Sequence, residues 1–193
     1  MDTTTLIIII AAVIVIVAII AVAYVQRRSK NLRERFGPEY GRTVEESGGR
    51  LKAESELRQR EKRVEALDIR PLEPDDRTRY IERWRGAQAQ FVDDPGAAIA
   101  AADKLLGEVM VARGYPMSDF EQRAADLSVD HPDVVEHYRA AHEIAQRHER
   151  GQAGTEDLRQ AMVHCKALFE DLVGLPDARD SQIPAQEDRH ARH

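Results

Sequence analysis

Histidines are the first candidates for functional residues in this sequence. Five of the seven lie on or beside two predicted helices near the carboxyl end: His131, His137, His142, His148 and His164. Metal ligands must converge, yet His142 lies roughly 140° round a helix from His137 at about 100° per residue. The predicted helices contain neither a Glu-x-x-His pair of the di-iron type nor the second histidine of a zinc-protease helix. The spacing favours structural or solvated histidines, with a metal-binding or enzymatic bundle as the alternative.

Carboxylates beside His137 raise the question of acid–base catalysis. Asp130 and Asp133 stand where the start of a helix favours anions in any case, so they are explained without catalysis. The sequence contains no glycine-rich phosphate loop and no nucleophile elbow. Cys165 is the only cysteine and lies in an apolar helical stripe, which indicates a core residue and excludes an internal disulfide. We therefore predict a non-enzymatic protein with no catalytic residue, no metal and no cofactor.

An uncharged apolar run, Leu6–Val25, precedes all of these residues. A helix needs about 20 apolar residues to cross a bilayer, so this run is a predicted transmembrane helix at residues 6–25, preceded by a short N-terminus at residues 1–5. Ala21-Val22-Ala23 also fits the cleavage pattern of a secretory signal. Residues 1–5 contain no basic residue, and the apolar run exceeds the usual length for a signal. Both departures favour an uncleaved anchor over a secreted protein.

Basic residues follow the predicted span directly, and none precedes it. Such residues are retained on the cytoplasmic side, so the N-terminus is expected outside the cell membrane and the large domain in the cytoplasm. The same side chains would meet anionic lipid headgroups of the bilayer. The basic cluster comprises Arg27, Arg28, Lys30, Arg33 and Arg35.

Composition narrows the class of protein further. The net charge is −6, to which residues 1–35 contribute +3 and residues 36–193 contribute −9. An acidic domain lacks the basic face that nucleic-acid binding requires, so no nucleic-acid partner is expected. Charged residues make up 32% of the chain and aromatic residues 5%, which indicates exposed helices.

A charged helical segment, residues 26–72, links the predicted span to the rest of the chain. Gly37-Pro38 interrupts it and residues 47–49 form a flexible joint. The stretch Arg50–Leu67 is helical, but its apolar stripe is thin, which is typical of a stalk or a short coiled coil that could form a homo-oligomer through residues 50–67. A solvated helix lying on the bundle is the alternative. Asp68–Leu72 is a predicted linker.

Residues 73–174 carry strong helix signals and no strand alternation. We predict an all-α fold in which about four or five helices form an antiparallel soluble bundle, followed by a disordered tail at residues 175–193. Tyr80, Trp84 and Phe91 recur at helical spacing. A core role is the commoner explanation for such a face, and a partner-docking face is the alternative.

Several stretches resemble an uncharacterised bacterial family of short helical proteins with one N-terminal span, some of which are labelled secreted. The resemblance rests on RFGPEYGRTVEE (Arg35–Glu46), the segment Asp119–His142, TEDLRQAMVHCKALFEDL (Thr155–Leu172) and LDIRPL (Leu67–Leu72), together with the span. It covers nearly the whole chain apart from the tail. It implies no activity, ligand or catalytic residue. The function expected from the sequence is a membrane-anchored interaction or scaffolding module with an unknown protein partner.

Overall fold

Helices are the regular secondary structure of the described part of the chain. The computed structural model describes the backbone of residues 3–175 and the side chains of residues 12, 13, 15–17, 19, 20 and 22–175. These residues contain no β-strand, so the all-α prediction is confirmed. The predicted disordered tail lies outside the described residues from position 176 onward. The helices of the described chain are α1 (Thr3–Phe36), α2 (Pro38–Glu46), α3 (Arg50–Glu65), α4 (Pro74–Gln90), α5 (Pro95–Ala112), α6 (Phe120–Asp130), α7 (Pro132–Glu149) and α8 (Thr155–Leu172).

The predicted transmembrane segment, residues 6–25, lies within α1. The side chains of residues 6–11, 14, 18 and 21 are outside the described set. Among the residues that are described, no helix is long and apolar enough to cross a membrane. Transmembrane insertion of residues 6–25 therefore stays a prediction.

The chain divides into two compact units, Met1–Glu61 (unit 1) and Lys62–His193 (unit 2). The boundary falls before the predicted linker Asp68–Leu72, because that linker packs within unit 2. The Arg70 amide donates to the Arg113 carbonyl at 2.8 Å, and Leu72 joins the hydrophobic core. Gly114, at φ +100°, lets the chain approach the Asp68 carbonyl so closely that a Cβ would lie 2.1 Å from the oxygen.

Unit 1 folds back on itself at two breaks. Gly37, at φ +48°, and Pro38 end α1 and open α2, since glycine adopts positive φ freely and proline suits a first helical position. The turn at residues 47–49 then leads into α3. The sequence predicted both breaks.

Contacts between α1 and α3 show that these helices run parallel. Ser29 bonds to Glu54 at 2.7 Å, and Arg35 pairs with Glu61 at 3.1 Å, so the positions advance together along both helices. The first turn of α3 therefore lies at the level where the apolar part of α1 ends.

Helix α2 returns antiparallel to α3. Glu39 pairs with Arg60 at 2.8 Å, whereas Ser47 bonds to Glu56 at 3.0 Å, so one position rises as the other falls. Unit 1 is thus a three-helix fold in which α1 and α3 run in the same direction and α2 runs in the opposite direction.

Unit 2 contains the five helices α4–α8, within the predicted count. Helix α5 packs on α4 and α8, and α7 packs on α8 and α6. The connections between α4 and α5 and between α7 and α8 are four or five residues long. Such short connections make consecutive packed helices antiparallel. The core is apolar throughout and includes Leu106, Leu127, Val135, Leu168 and Phe169.

Carboxylates cap two helix starts in unit 2. Asp119 caps α6 by accepting from the Gln122 amide at 2.9 Å. Helix α8 begins at Thr155, and the preceding Gly154 amide donates to Asp157 at 2.9 Å. In both places a carboxylate meets amide donors that the helix leaves unpaired.

A substitution in the stacked pair Trp84–Phe169 tests the packing of the core of unit 2. The ring centroids lie 4.7 Å apart, and Trp84 is 4% exposed. We expect Trp84→Ala to lower the free energy of unfolding by about 3–5 kcal/mol, because a large buried side chain is replaced by a cavity. Urea denaturation followed by circular dichroism measures this. The control Val163→Ala removes a side chain that is 54% exposed and should cost less than about 0.5 kcal/mol; equal costs would contradict the assigned core.

Candidate functional site

The basic cluster lies on the exposed surface of α1. All five side chains are exposed. Arg35 pairs with Glu61, Lys30 pairs with Glu34 at 3.5 Å, and the Arg33 guanidinium lies 5.1 Å from the centre of the Tyr40 ring. The cluster is therefore an accessible cationic surface, available to anionic groups.

A buried carboxylate, Glu54, fixes the helix that carries this cluster. It is 5% exposed and accepts hydrogen bonds from Ser29 of α1 at 2.7 Å, Tyr40 of α2 at 3.0 Å and Arg50 of α3 at 2.8 Å. Burial raises the pKa of the Glu54 carboxyl, but the bonds from Arg50, Ser29 and Tyr40 outweigh it, so the pKa is lowered. Glu54 is therefore ionised at neutral pH and joins all three helices of unit 1.

A second buried ion pair joins the first turn of α2 to a later turn of α3. Glu39 is 1% exposed and accepts from the Arg60 guanidinium, which also bonds to Glu56. The planar guanidinium suits such shared pairing. The start of α2 is thus held to α3 by polar contacts of both Glu39 and Tyr40.

The stretch 50–67 does not carry a free apolar stripe. Leu57 is fully buried in unit 1, and Val64 is 6% exposed. Leu51 is 80% exposed and, with Val22 and Val25, lines one groove at the end of the apolar part of α1. Among the large apolar residues of the stretch 50–67, only Leu51 is exposed, and it lies beside the exposed Val22 and Val25.

Most of the predicted docking face on α4 is buried in the core. Tyr80 is 6% exposed and Trp84 is 4% exposed, and Phe91 packs partly buried against the same core. Their helical spacing thus reflects core packing, and this placement does not support a docking role for Tyr80 or Trp84.

Two histidines meet across the α7–α8 interface. The Nδ1 atoms of His137 and His164 lie 2.9 Å apart, and the ring centroids are 5.1 Å apart. The two nitrogens therefore point at one another, which is the geometry of a hydrogen bond with one nitrogen as donor and the other as acceptor. Burial first, and then His137, lowers the pKa of His164. Spacing along α7 alone could not reveal this pair, because its members lie on different helices.

The other candidate histidines have separate neighbours. His131 contacts Asp171 through Nδ1 and the Arg113 guanidinium through Nε2 at 3.2 Å, so both its nitrogens are engaged. The His142 ring stacks on Phe120 at 3.6 Å.

No metal centre forms among the residues that the structure describes. These residues contain no group of three or more histidine, cysteine, aspartate or glutamate side chains able to hold an ion. Cys165 is buried in the core, and burial raises the pKa of its thiol to about 12, with Asp103 adding to the rise. The thiol therefore stays protonated and unreactive at neutral pH.

Comparison with protein-family models, with curated proteins and with solved structures gives no match to this chain. Its function must therefore be inferred from the contacts and charges of its own side chains.

Sequence reasoning missed the residues that organise unit 1. Ser29 and Tyr40 lie 25 and 14 positions from Glu54, and no local spacing links them. The local signals were the pairs of Glu54 with Arg50 and with Arg58, each an acid and a base at four-residue helical spacing.

Replacing Glu54 tests the buried network. We expect Glu54→Ala to destabilise unit 1 by about 2–3 kcal/mol, because buried donors on Ser29 and Tyr40 lose their acceptor. Amide hydrogen exchange of α2 and α3 in the full chain measures this as faster exchange. The control Glu45→Ala removes an exposed carboxylate of α2 and should leave exchange nearly unchanged. Equal protection in both variants would show that Glu54 does not join the helices.

The histidine pair predicts acid sensitivity of the α7–α8 interface. The folded pKa of His164 lies below its ordinary value of 6.5, so the unfolded chain takes up a proton first as the pH falls. Stability should therefore drop as the pH falls below about 6.5 and level off below the folded pKa. His164→Asn should weaken this dependence in urea titrations at several pH values. The control His148→Asn changes an exposed histidine, and an unchanged pH profile in His164→Asn would contradict the prediction.

Proposed function

We propose that this protein is a membrane-anchored, non-enzymatic helical module that presents an acidic domain to a protein partner. In this proposal residues 6–25 cross the bilayer, unit 1 stands at its cytoplasmic surface, and unit 2 engages the partner. The N-terminus lies outside.

One observation carries the anchoring proposal: the apolar surface of α1 has no cover from the rest of the described chain. Val13, Val17 and Ile20 are 53%, 58% and 62% exposed. Apolar side chains uncovered along a whole helix are costly in water and stable in lipid. The sequence of residues 6–25 contains no charge, so a bilayer suits the entire run.

The charges beside this run support a lipid-facing role for unit 1. The exposed basic cluster begins two residues after Val25. The parallel course of α1 and α3 brings Leu51 to the same groove as Val22 and Val25, and Leu51 stands between Arg50 and Lys52. An exposed leucine flanked by cations is typical of a surface that contacts the interface of an anionic bilayer.

Unit 2 is the part that we propose for partner binding. Its 26 acidic and 18 basic residues give a net charge of −8, whereas unit 1 has ten basic and eight acidic residues and a net charge of +2. Opposite signs on the two units favour an anionic membrane for unit 1 and a basic protein surface for unit 2. The engagement of His131, His137 and His164 with neighbouring side chains supports a role without catalysis.

Membrane insertion and orientation are tested together in a bacterial host. We expect the full chain to stay in the membrane pellet after alkaline carbonate extraction, whereas residues 27–193 alone should be released. In wall-stripped cells unit 2 should resist added protease until the cells are lysed. Digestion in intact cells, or a mature mass that ends at Ala23, would overturn the cytoplasmic assignment in favour of export.

Charge substitutions separate orientation from insertion. Replacing Arg27, Arg28 and Lys30 with glutamine should give a mixed orientation without release from the membrane, because basic residues near a span's end set its topology. The matched control replaces three exposed basic residues farther from the span, Lys62, Arg85 and Lys166, and should keep the original orientation. Identical protease patterns in the two variants would show that the basic cluster does not set the topology.

A further inference from the structure

A cavity in unit 2 lies beside the carboxyl-terminal half of α5. Its volume is about 530 Å³, within the range of about 300–1,000 Å³ that small-molecule sites occupy. Tyr80 of α4, the loop at residues 116–118 and Arg123 of α6 complete its lining. None of the side chains discussed for membrane attachment contributes to it.

Most of the cavity wall is apolar and adaptable. Met110 forms a buried part of the wall, while Val111 is 46% exposed and Met117 is 89% exposed. Methionine side chains adjust to different apolar shapes. An alkyl chain or an aromatic ring would bury these side chains further.

Arg123 is the partly buried cation of the wall, whereas Lys104 is exposed. Its side chain is partly buried, and within the described residues it makes no hydrogen bond or ion pair. The nearby Arg139, by comparison, pairs with Glu121 at 3.1 Å. The Nε atom of Arg123 is buried and has no hydrogen-bond acceptor among the described residues, which is costly, and a carboxylate can accept two parallel hydrogen bonds from the guanidinium.

Gly107 sets the position of this guanidinium. A Cβ at Gly107 would lie 3.3 Å from Nη1 of Arg123, so the absence of a side chain lets the guanidinium rest against α5. Glycine inside a helix costs about 1 kcal/mol relative to alanine. The close approach of Arg123 gives a reason for glycine at this position.

The charge balance of the lining favours a single negative charge in the ligand. Lys104 and Arg123 face Asp103 and Glu108, and Glu108 is already bonded to Arg83 from outside the cavity. With Arg83 counted, the surroundings carry a net charge of +1 inside an acidic unit. Asp103 would repel a second anionic group.

We propose that this cavity binds a monocarboxylate with an apolar body, whose carboxylate accepts hydrogen bonds from the Arg123 guanidinium and whose body lies against Met110, Val111 and Met117. The site is independent of membrane anchoring. It gives unit 2 a small-molecule ligand in addition to the proposed protein partner.

Methionine methyl signals give a local test with octanoate as the probe. The chain has four methionines, of which Met110 and Met117 line the cavity and Met162, a core residue, is not part of its lining. In the full chain, held in lipid nanodiscs and labelled at the methionine methyls, octanoate should shift the Met110 and Met117 signals to saturation and leave Met162 in place. Octanol, which partitions into lipid but lacks the charge, should bind at least about tenfold more weakly.

Two variants assign the charge recognition. Arg123→Gln should weaken octanoate binding about tenfold or more, whereas the control Arg139→Gln should leave it unchanged. Gly107→Ala keeps the charge and favours the helix, so a several-fold loss in this folded variant would report displacement of the guanidinium. The Met162 signal verifies folding in each case. Absence of saturable shifts, equal binding of octanol, or full affinity in both Arg123→Gln and Gly107→Ala would each overturn the proposal.

Discussion

The Glu54 carboxylate is the interaction on which unit 1 depends. It receives one donor from each helix, namely Ser29 from α1, Tyr40 from α2 and Arg50 from α3. Taking a carboxylate out of water is costly, and only a full set of donors makes its burial tolerable. Because those donors come from three separate helices, the network forms in one arrangement of the helices and selects it over other packings.

The two units are stabilised by different physical means. Unit 1 buries charged groups such as Glu39 and Arg60 beside a few apolar side chains, whereas unit 2 has a continuous apolar core around Leu106 and Phe169. Apolar burial is non-directional and tolerates small adjustments, while hydrogen-bonded ion pairs demand fixed geometry. Unit 1 therefore depends on polar contacts of fixed geometry, whereas unit 2 is a helical bundle around an apolar core.

The sequence reveals most of the fold of unit 2 and little of unit 1. Pro74, Pro95 and Pro132 mark helix starts because proline suits the first turn, and apolar residues at helical spacing predict the core. The thin stripe of Arg50–Leu67 predicts a stalk, since periodicity counts apolar residues and overlooks a core that is built from Glu54 and Arg60. Contacts between helices, including His137 with His164 and Arg123 with Gly107, arise from tertiary packing that no local pattern encodes.

The unbroken course of α1 couples helical phase to the placement of unit 1. The helix runs from Thr3 to Phe36 without proline or glycine, so no hinge separates its apolar part from the turns that hold Ser29 and Leu32. One inserted residue near Gln26 would turn everything beyond it by about 100° and advance it by about 1.5 Å. The number of residues in α1 between its apolar part and Ser29 thus determines which face of α2 and α3 is turned toward the surroundings of the apolar residues. In a continuous helix, a change in length also changes the direction in which the residues beyond it face.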